Sequence, residues 1–96
     1  DNNIIDLGEN YTYNTNNKIV TKDANFIKLT KKELGVLDLF CKNIDQYITY
    51  DIFREYIWIE KDIADSTIRD TILRLRKKIP NLQIISTKGL GYILQK

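Results

Sequence analysis

Four side chains at helical spacing form the most chemically suggestive pattern in the sequence. Thr67, Thr71, Arg74 and Lys78 recur at intervals of three or four residues, so they share one face of a predicted helix, with Asp70 beside them. Hydroxyl, guanidinium and ammonium groups all donate hydrogen bonds, and the last two carry positive charge. Such a face suits binding of an anionic partner, although a lone Arg74 is also compatible with an ordinary solvated surface residue.

Residues for bond-making chemistry are scarce. The chain has no histidine, which removes a histidine general base and a His-containing metal site. Cys41 is the one cysteine and lies in an apolar run (36–41), where a buried side chain is expected. Glu60, Asp62 and Asp65 are close in sequence, but no nucleophile, base or glycine-rich phosphate loop accompanies them. We predict no catalytic site, no metal and no cofactor.

Charge is unevenly distributed along the 96 residues. The net charge of +2 hides a segment 1–63 with 8 basic and 11 acidic residues and a segment 64–96 with 7 basic and 2 acidic residues. A basic third of this kind attracts polyanions or anionic membranes. No run approaches the roughly 18 apolar residues of a membrane span, so we expect one soluble cytoplasmic domain. Because the chain begins with Asp1 instead of Met, we expect it to be a fragment of a longer protein.

Three helices are predicted around the basic face. A capping box of Thr30 and Glu33 starts a helix at Lys31 that reaches about Asn43. Thr49 or Asp51 caps a second helix, closed by Trp58, that carries Ile52, Phe53, Tyr56 and Ile57 inward. Asp65 or Ser66 caps a third, ended by Pro80, whose buried stripe consists of Ile68, Ile72, Leu75 and Ile79.

Short β-prone stretches precede and follow the helices. Four strands separated by turn residues are predicted at 2–7, 11–14, 18–22 and 25–29, which indicates an antiparallel sheet. A hairpin is predicted from 82–87 and 91–95, with Lys88 at its tip and Gly89 and Gly91 allowing the turn.

The order of sheet, three helices and hairpin is that of a winged helix, a variant of the helix-turn-helix. Four segments make the match more specific, because they resemble, in the right order, the effector domain of OmpR/PhoB-type response regulators. They are Leu29-Thr30-x-x-Glu33-x-x-Val36-Leu37-x-x-Phe40, Tyr56-Ile57-Trp58, Ser66-Thr67-Ile68-Arg69-x-x-Ile72-x-x-Leu75-Arg76-Lys77-Lys78-Ile79 and Ile85-Ser86-Thr87-Lys88-Gly89-x-Gly91-Tyr92-x-Leu94.

The resemblance implies an α+β winged-helix domain that binds double-stranded DNA and controls transcription within a two-component system. The N-terminal sheet would span about 2–29, the three-helix core about 30–80 and the wing about 82–96, with a phosphoacceptor receiver domain absent from this chain. It also implies a sensor kinase as partner, packing of the sheet against the receiver, and contact of the loop 59–65 with RNA polymerase. The resemblance further implies that the chain is a monomer in solution and binds DNA as a dimer.

Site residues follow from the same resemblance. The recognition helix 65–79 would enter the major groove and the wing 86–92 the minor groove. Base-reading positions are held by Thr67, Thr71 and Arg74; backbone-contact positions by Trp58, Ser66, Arg76 and Tyr92; and the wing-tip position by Lys88. Arg74 can donate two hydrogen bonds to guanine, the threonine methyl groups can meet thymine, and Lys77 and Lys78 add salt-dependent affinity. Core packing of Trp58 and Tyr92, and a merely soluble hairpin tip at Lys88, are the alternatives.

This chain departs from the family pattern at four positions of the third helix. Ser66 stands where members often have Arg, Arg69 where they have an acidic residue, Thr71 where they have His, and Leu73 where they have a basic residue. Asp70 either positions Arg74 as its i, i+4 partner or forms an ordinary surface pair. A second hypothesis is a winged helix that binds protein and not DNA, through the sheet or the loop 59–65.

Overall fold

The computed structural model describes residues 3–59 and 62–95. The elements of these ranges, in chain order, are β1 (Ile4–Gly8), β2 (Tyr11–Asn14), β3 (Ile19–Lys22), β4 (Asn25–Ile27), α1 (Lys31–Lys42), β5 (Ile48–Thr49), α2 (Tyr50–Tyr56), α3 (Asp65–Lys78), β6 (Gln83–Thr87) and β7 (Gly91–Gln95). This order confirms the predicted α+β architecture of a sheet, three helices and a terminal hairpin. None of these helices is long and apolar enough to cross a membrane.

The N-terminal sheet is antiparallel in the order β1-β2-β3-β4. Its register aligns Ile5, Tyr13, Val20 and Ile27 in one row, which faces the helices because side chains alternate between the two faces of a strand. Tyr13 and Val20 in this row are almost completely buried, whereas Phe26, one position along, is 67% exposed on the outer face. The predicted strands therefore exist, with ends displaced by one or two residues.

The capping box of α1 is formed as predicted. The Thr30 hydroxyl accepts a hydrogen bond from the Glu33 amide at 3.2 Å, and Glu33 Oε1 accepts one from the Thr30 amide at 3.0 Å. Val36, Leu37, Phe40 and Cys41 are buried below this cap. Because Glu33 is a residue of the cap, its carboxylate is fixed at the first turn of α1. There it lies within ion-pair distance of Arg74 and Lys78 of α3.

The second and third helices pack on α1 through apolar side chains. Ile68, Ile72, Leu75 and Ile79 are buried, which confirms the predicted stripe of α3. The N-cap of α3 is Ala64, without a side-chain hydrogen bond, so a cap by Asp65 or Ser66 is wrong. Asp65 instead pairs with Arg54 of α2. Tyr56 was expected to point inward, which is wrong, since its side chain is 64% exposed; α2 ends at this residue, two residues before Trp58.

The C-terminal hairpin forms a second sheet in the order β5-β7-β6. Gly91 lies where β7 pairs with β5, opposite Thr49. A Cβ at this position would stand 2.1 Å from the carbonyl oxygen of Ile48. Only glycine allows this approach, since no heavy atom fits so close to a backbone oxygen. The pairing of β5 with Gly91 and Tyr92 anchors the turn end of the hairpin to the short strand before α2.

Candidate nucleic-acid interface

The exposed surface of α3 is a strip that we call the outer face of α3. It consists of Ser66, Arg69, Asp70, Leu73 and Lys77, all of which are exposed. This strip lies opposite the buried stripe, as the period of an α-helix requires. The last turn adds positive charge, because Arg76, Lys77 and Lys78 follow one another there.

The four residues singled out first lie at the border between α3 and α1, and we call them the α1-side row. They are Thr67, Thr71, Arg74 and Lys78. Thr67 is half-buried, and Thr71 is only 1% exposed. The Thr71 hydroxyl donates to the Thr67 carbonyl at 2.9 Å. The burial of Thr71 argues against its predicted contact with a base edge, because helical spacing alone does not show which member of a row is covered.

Arg74 is held at two points and is open to solvent on the rest of its surface. Its Nη2 donates to the Thr71 hydroxyl at 3.3 Å, and its Nε lies 3.5 Å from Glu33 Oε2. The side chain is still 54% exposed. The ion pair of Arg74 leads to Glu33, and the described residues show none between Arg74 and Asp70, which argues against the alternative in which Asp70 positions Arg74.

Glu33 is the residue that the sequence analysis missed as part of this surface. Its side chain is 1% exposed, and Oε1 accepts hydrogen bonds from the Lys78 ammonium at 2.7 Å and from the Thr30 amide at 3.0 Å. Burial alone would raise the pKa of Glu33, but the Lys78 and Thr30 hydrogen bonds and the charges of Lys78 and Arg74 together lower it. A carboxylate therefore anchors two basic side chains of the α1-side row at neutral pH.

A second group that the sequence analysis missed surrounds Arg69. The rings of Tyr50 and Tyr92 meet edge to face with 5.8 Å between centroids. Interaction with the Tyr50 hydroxyl raises the pKa of the Arg69 guanidinium. Burial first, and then the Tyr50 hydrogen bond, raise the pKa of Tyr92 to about 12. The sequence signal for this group was Arg69, a basic residue at a position where members of the family often have an acidic one.

The remaining basic residues extend this surface towards the hairpin. Arg76 Nη2 donates to the Ile84 carbonyl at 2.7 Å, which ties the end of α3 to β6. Lys88 is exposed at the hairpin tip, where Gly89 has a φ of 78°. Tyr92 is 6% exposed, so its ring belongs to the core while its hydroxyl meets Tyr50. Arg69 and Arg76 thus lie where α3 adjoins the hairpin, whose tip carries Lys88.

Trp58 lies between α2 and α3 in the chain and packs beside the first turn of α1. Trp58 is 4% exposed, and the Lys32 ammonium stands 5.7 Å from its ring centroid. This burial favours the core alternative, and the backbone contact through the indole N–H stays a prediction. The loop 59–65 includes residues 60 and 61, which lie outside the described ranges; Ile59 next to them is exposed. In the described ranges no group of three or more His, Cys, Asp or Glu side chains is arranged to hold a metal ion.

Comparison with known proteins assigns this architecture to a family. The family model described as "Transcriptional regulatory protein, C terminal" matches residues 22–94. The regulatory protein VanRB of Enterococcus faecalis is 33% identical over 75 residues, covering 77% of this chain and 34% of that protein. The transcriptional regulatory protein RprY of Bacteroides fragilis is 29% identical over 96% of this chain and 40% of its own length. The chain therefore spans about a third to two fifths of the relatives it matches.

A solved structure agrees with the family model. The crystal structure of the DNA-binding domain of Bacillus subtilis CssR superposes with a TM-score of 0.78 at 27% identity, covering 88% of this chain and 98% of that domain. The matched family model spans the helices and all but the last residue of the hairpin. The chain belongs to the family of C-terminal domains of transcriptional regulatory proteins, the winged-helix effector domains of the OmpR/PhoB type.

Proposed function

We propose that this chain binds double-stranded DNA with sequence preference, as the output domain of a two-component response regulator. The observation that carries the proposal is the arrangement of α3: a solvent-exposed helix face bordered by a half-exposed Arg74 and followed by Arg76, Lys77 and Lys78. A major groove about 12 Å wide admits a helix of this kind, and phosphates flank it on both sides. The CssR relative, whose solved part is a DNA-binding domain, supports the same role.

Base reading is assigned to Arg74, with Thr67 and Asp70 beside it. The guanidinium is half exposed, and two of its N–H groups suit the O6 and N7 acceptors of guanine. The half-buried Thr67 offers a methyl group for a thymine. Asp70 is exposed and free of an ion pair with Arg74, so its carboxylate can accept from the cytosine amino group. Thr71 is left out of this set because of its burial.

Phosphate contacts are assigned to the residues around the end of α3 and the wing. Ser66, Arg69, Arg76 and Lys77 are exposed donors, and Lys78 is 38% exposed beside Glu33. Tyr92 adds a hydroxyl. Trp58 would add an indole N–H if its ring turned towards the DNA backbone. Lys88 at the hairpin tip would enter the minor groove and respond to its width and potential more than to its sequence.

The partners of the whole protein extend the same proposal. A receiver domain, a sensor kinase and RNA polymerase at the loop 59–65 would be the protein partners, and a pair of subunits would occupy two half-sites in the cytoplasm. The outer face of the N-terminal sheet supports a protein contact, since Ile4 and Phe26 are 58% and 67% exposed there. The domain itself requires no catalytic group or cofactor for this role.

Replacement of Arg74 tests the assignment of the base reader. Arg74→Ala should relax preference at one base position by about 1 to 3 kcal/mol, because a bidentate contact to one base pair is lost. Binding of duplexes that differ at single positions measures this, with Lys28→Ala as the control, since Lys28 is an exposed lysine beside the N-terminal sheet. Equal preferences for wild type and Arg74→Ala would refute the role of Arg74.

A further inference from the structure

We propose that Glu33 and Thr71 are positioning residues that hold Arg74 ready to read a base, so that a residue of α1 determines part of the sequence preference of α3. The inference rests on the proposed function and adds a residue from outside α3 to it. Neither Glu33 nor Thr71 needs to contact DNA for this role.

The two contacts of Arg74 use one side of its guanidinium. A guanidinium has five N–H groups, one on Nε and two on each terminal nitrogen. Nε faces Glu33 Oε2 at 3.5 Å and Nη2 donates to Thr71 at 3.3 Å. Both hydrogens of Nη1 and one of Nη2 are therefore left for a partner. Two parallel donors from the two terminal nitrogens are what the O6 and N7 acceptors of guanine require.

The anchor is more rigid than the side chain it holds. Glu33 is fixed by its place in the capping box and by Lys78, whose ammonium lies 2.7 Å from Oε1. Thr71 is fixed by its burial and by its hydrogen bond to Thr67 at 2.9 Å. Arg74 alone of this group has half of its side chain in solvent. Two buried residues, Glu33 and Thr71, thus hold an Arg74 side chain that is 54% exposed.

One oxygen of the frame is unsatisfied. Within the described part of the chain, the buried Oε2 of Glu33 has no hydrogen-bond partner, although the Arg74 guanidinium stands beside it. A buried carboxylate oxygen without a hydrogen bond is costly, so any conformation that brings the Arg74 N–H into line with it is favoured. Glu33 therefore restricts Arg74 to rotamers close to α1, which reduces the entropy that the side chain loses on binding.

The test compares discrimination between two duplexes: the one that this chain enriches from a random pool, and the same duplex changed at the base whose preference Arg74→Ala relaxes. Glu33→Gln keeps the shape of the side chain but loses its charge. It should lower the discrimination ratio about two- to tenfold, the cost of ordering one long side chain. In an Arg74→Ala background the same change should have no further effect, because Glu33 acts through Arg74.

Asp38→Asn is the matched control. Asp38 is the other part-buried carboxylate of α1 that forms ion pairs, but its partners are Lys18, Lys42 and Tyr13. Asp38→Asn should therefore lower the thermal midpoint and leave the discrimination ratio unchanged. A merely structural role of Glu33 would make the two variants behave alike.

A second pair of variants covers the case in which Glu33→Gln does not fold. Thr71→Ser retains the hydroxyl that meets Arg74 and should keep the discrimination ratio, whereas Thr71→Val removes it and should lower the ratio. Equal ratios for Ser and Val, or a Glu33→Gln effect that persists without Arg74, would overturn the inference while DNA binding stands. A wild-type chain that enriches no duplex would overturn the proposed function and the inference with it.

Discussion

Two carboxylates of α1, Asp38 and Glu33, connect this helix to different parts of the molecule. Asp38 stabilises the fold, whereas Glu33 also borders the proposed DNA-binding surface. Asp38 connects α1 to the N-terminal sheet: it accepts from the Tyr13 hydroxyl at 2.6 Å and pairs with Lys18 and Lys42. Glu33 connects α1 to α3, through Lys78 and Arg74. Asp38 meets a buried phenol, whereas the cations at Glu33 belong to the surface proposed to meet DNA.

The difference lies in how well each carboxylate is satisfied. One oxygen of Asp38 serves both Tyr13 and Lys18, and the other meets Lys42 at 2.9 Å. Glu33 is more deeply buried, yet one of its oxygens accepts no hydrogen bond from the residues that the structure describes. The carboxylate that connects α1 to the sheet has a partner on both oxygens, while the one beside the proposed binding surface has an oxygen that faces Arg74 without a hydrogen bond from the described residues. This contrast predicts that the two sites respond differently when each is disturbed.

Acid should disturb both carboxylates and has the largest expected effect on stability. Burial would raise the pKa of Asp38, but the hydrogen bonds from Tyr13, Lys42 and Lys18 lower it, and the pKa of Glu33 is lowered as well. Each carboxylate has a lower pKa in the folded than in the unfolded chain, so its contribution is complete at neutral pH. That contribution disappears as the pH falls below about 4 towards the folded pKa.

Denaturant unfolding from pH 7 to pH 3 measures this effect. The free energy of unfolding should change little down to about pH 5 and decline below about pH 4, and the decline should be shallower in Glu33→Gln and in Asp38→Asn. Stability that rises between pH 4 and pH 3 would show that these carboxylates are not stabilised in the folded chain.

Tyr13→Phe should have an intermediate effect confined to the Asp38 side. The variant removes one hydroxyl that donates to a carboxylate, so the free energy of unfolding should fall by about 1 to 2 kcal/mol. Affinity and base preference for DNA should be unchanged, because the Tyr13 hydroxyl contacts Asp38 of α1 and not the basic side chains of α3. Denaturant unfolding and duplex binding report the two quantities, and a change in base preference would show that the two sides of α1 are coupled.

Lys88→Ala should have the smallest effect on stability, below about 0.5 kcal/mol, since the side chain is exposed at the hairpin tip. Its effect should appear in the salt dependence of DNA binding, where the slope of log affinity against log salt becomes shallower by about one unit with unchanged base preference. An identical slope would leave Lys88 as an ordinary soluble hairpin tip.

Much of the fold follows from local patterns. The Thr30 and Glu33 capping box, the buried stripe from Ile68 to Ile79 and the strand at 11–14 are confirmed, because each depends on neighbours along the chain. The partial burial of the α1-side row was not predicted. Helical spacing shows that Thr71 and Arg74 share a face, but it does not show which neighbouring element packs against that face. The contact of Glu33 with Lys78 spans 45 residues, and no local pattern could predict it.

Selection of bound duplexes from a random pool with this chain tests the central claim most directly. We expect enrichment of one motif that contains at least one guanine, and the preference for this guanine should weaken in Arg74→Ala. Wild-type protein that retains duplexes without enriching any sequence, or that retains none at low salt, would contradict it.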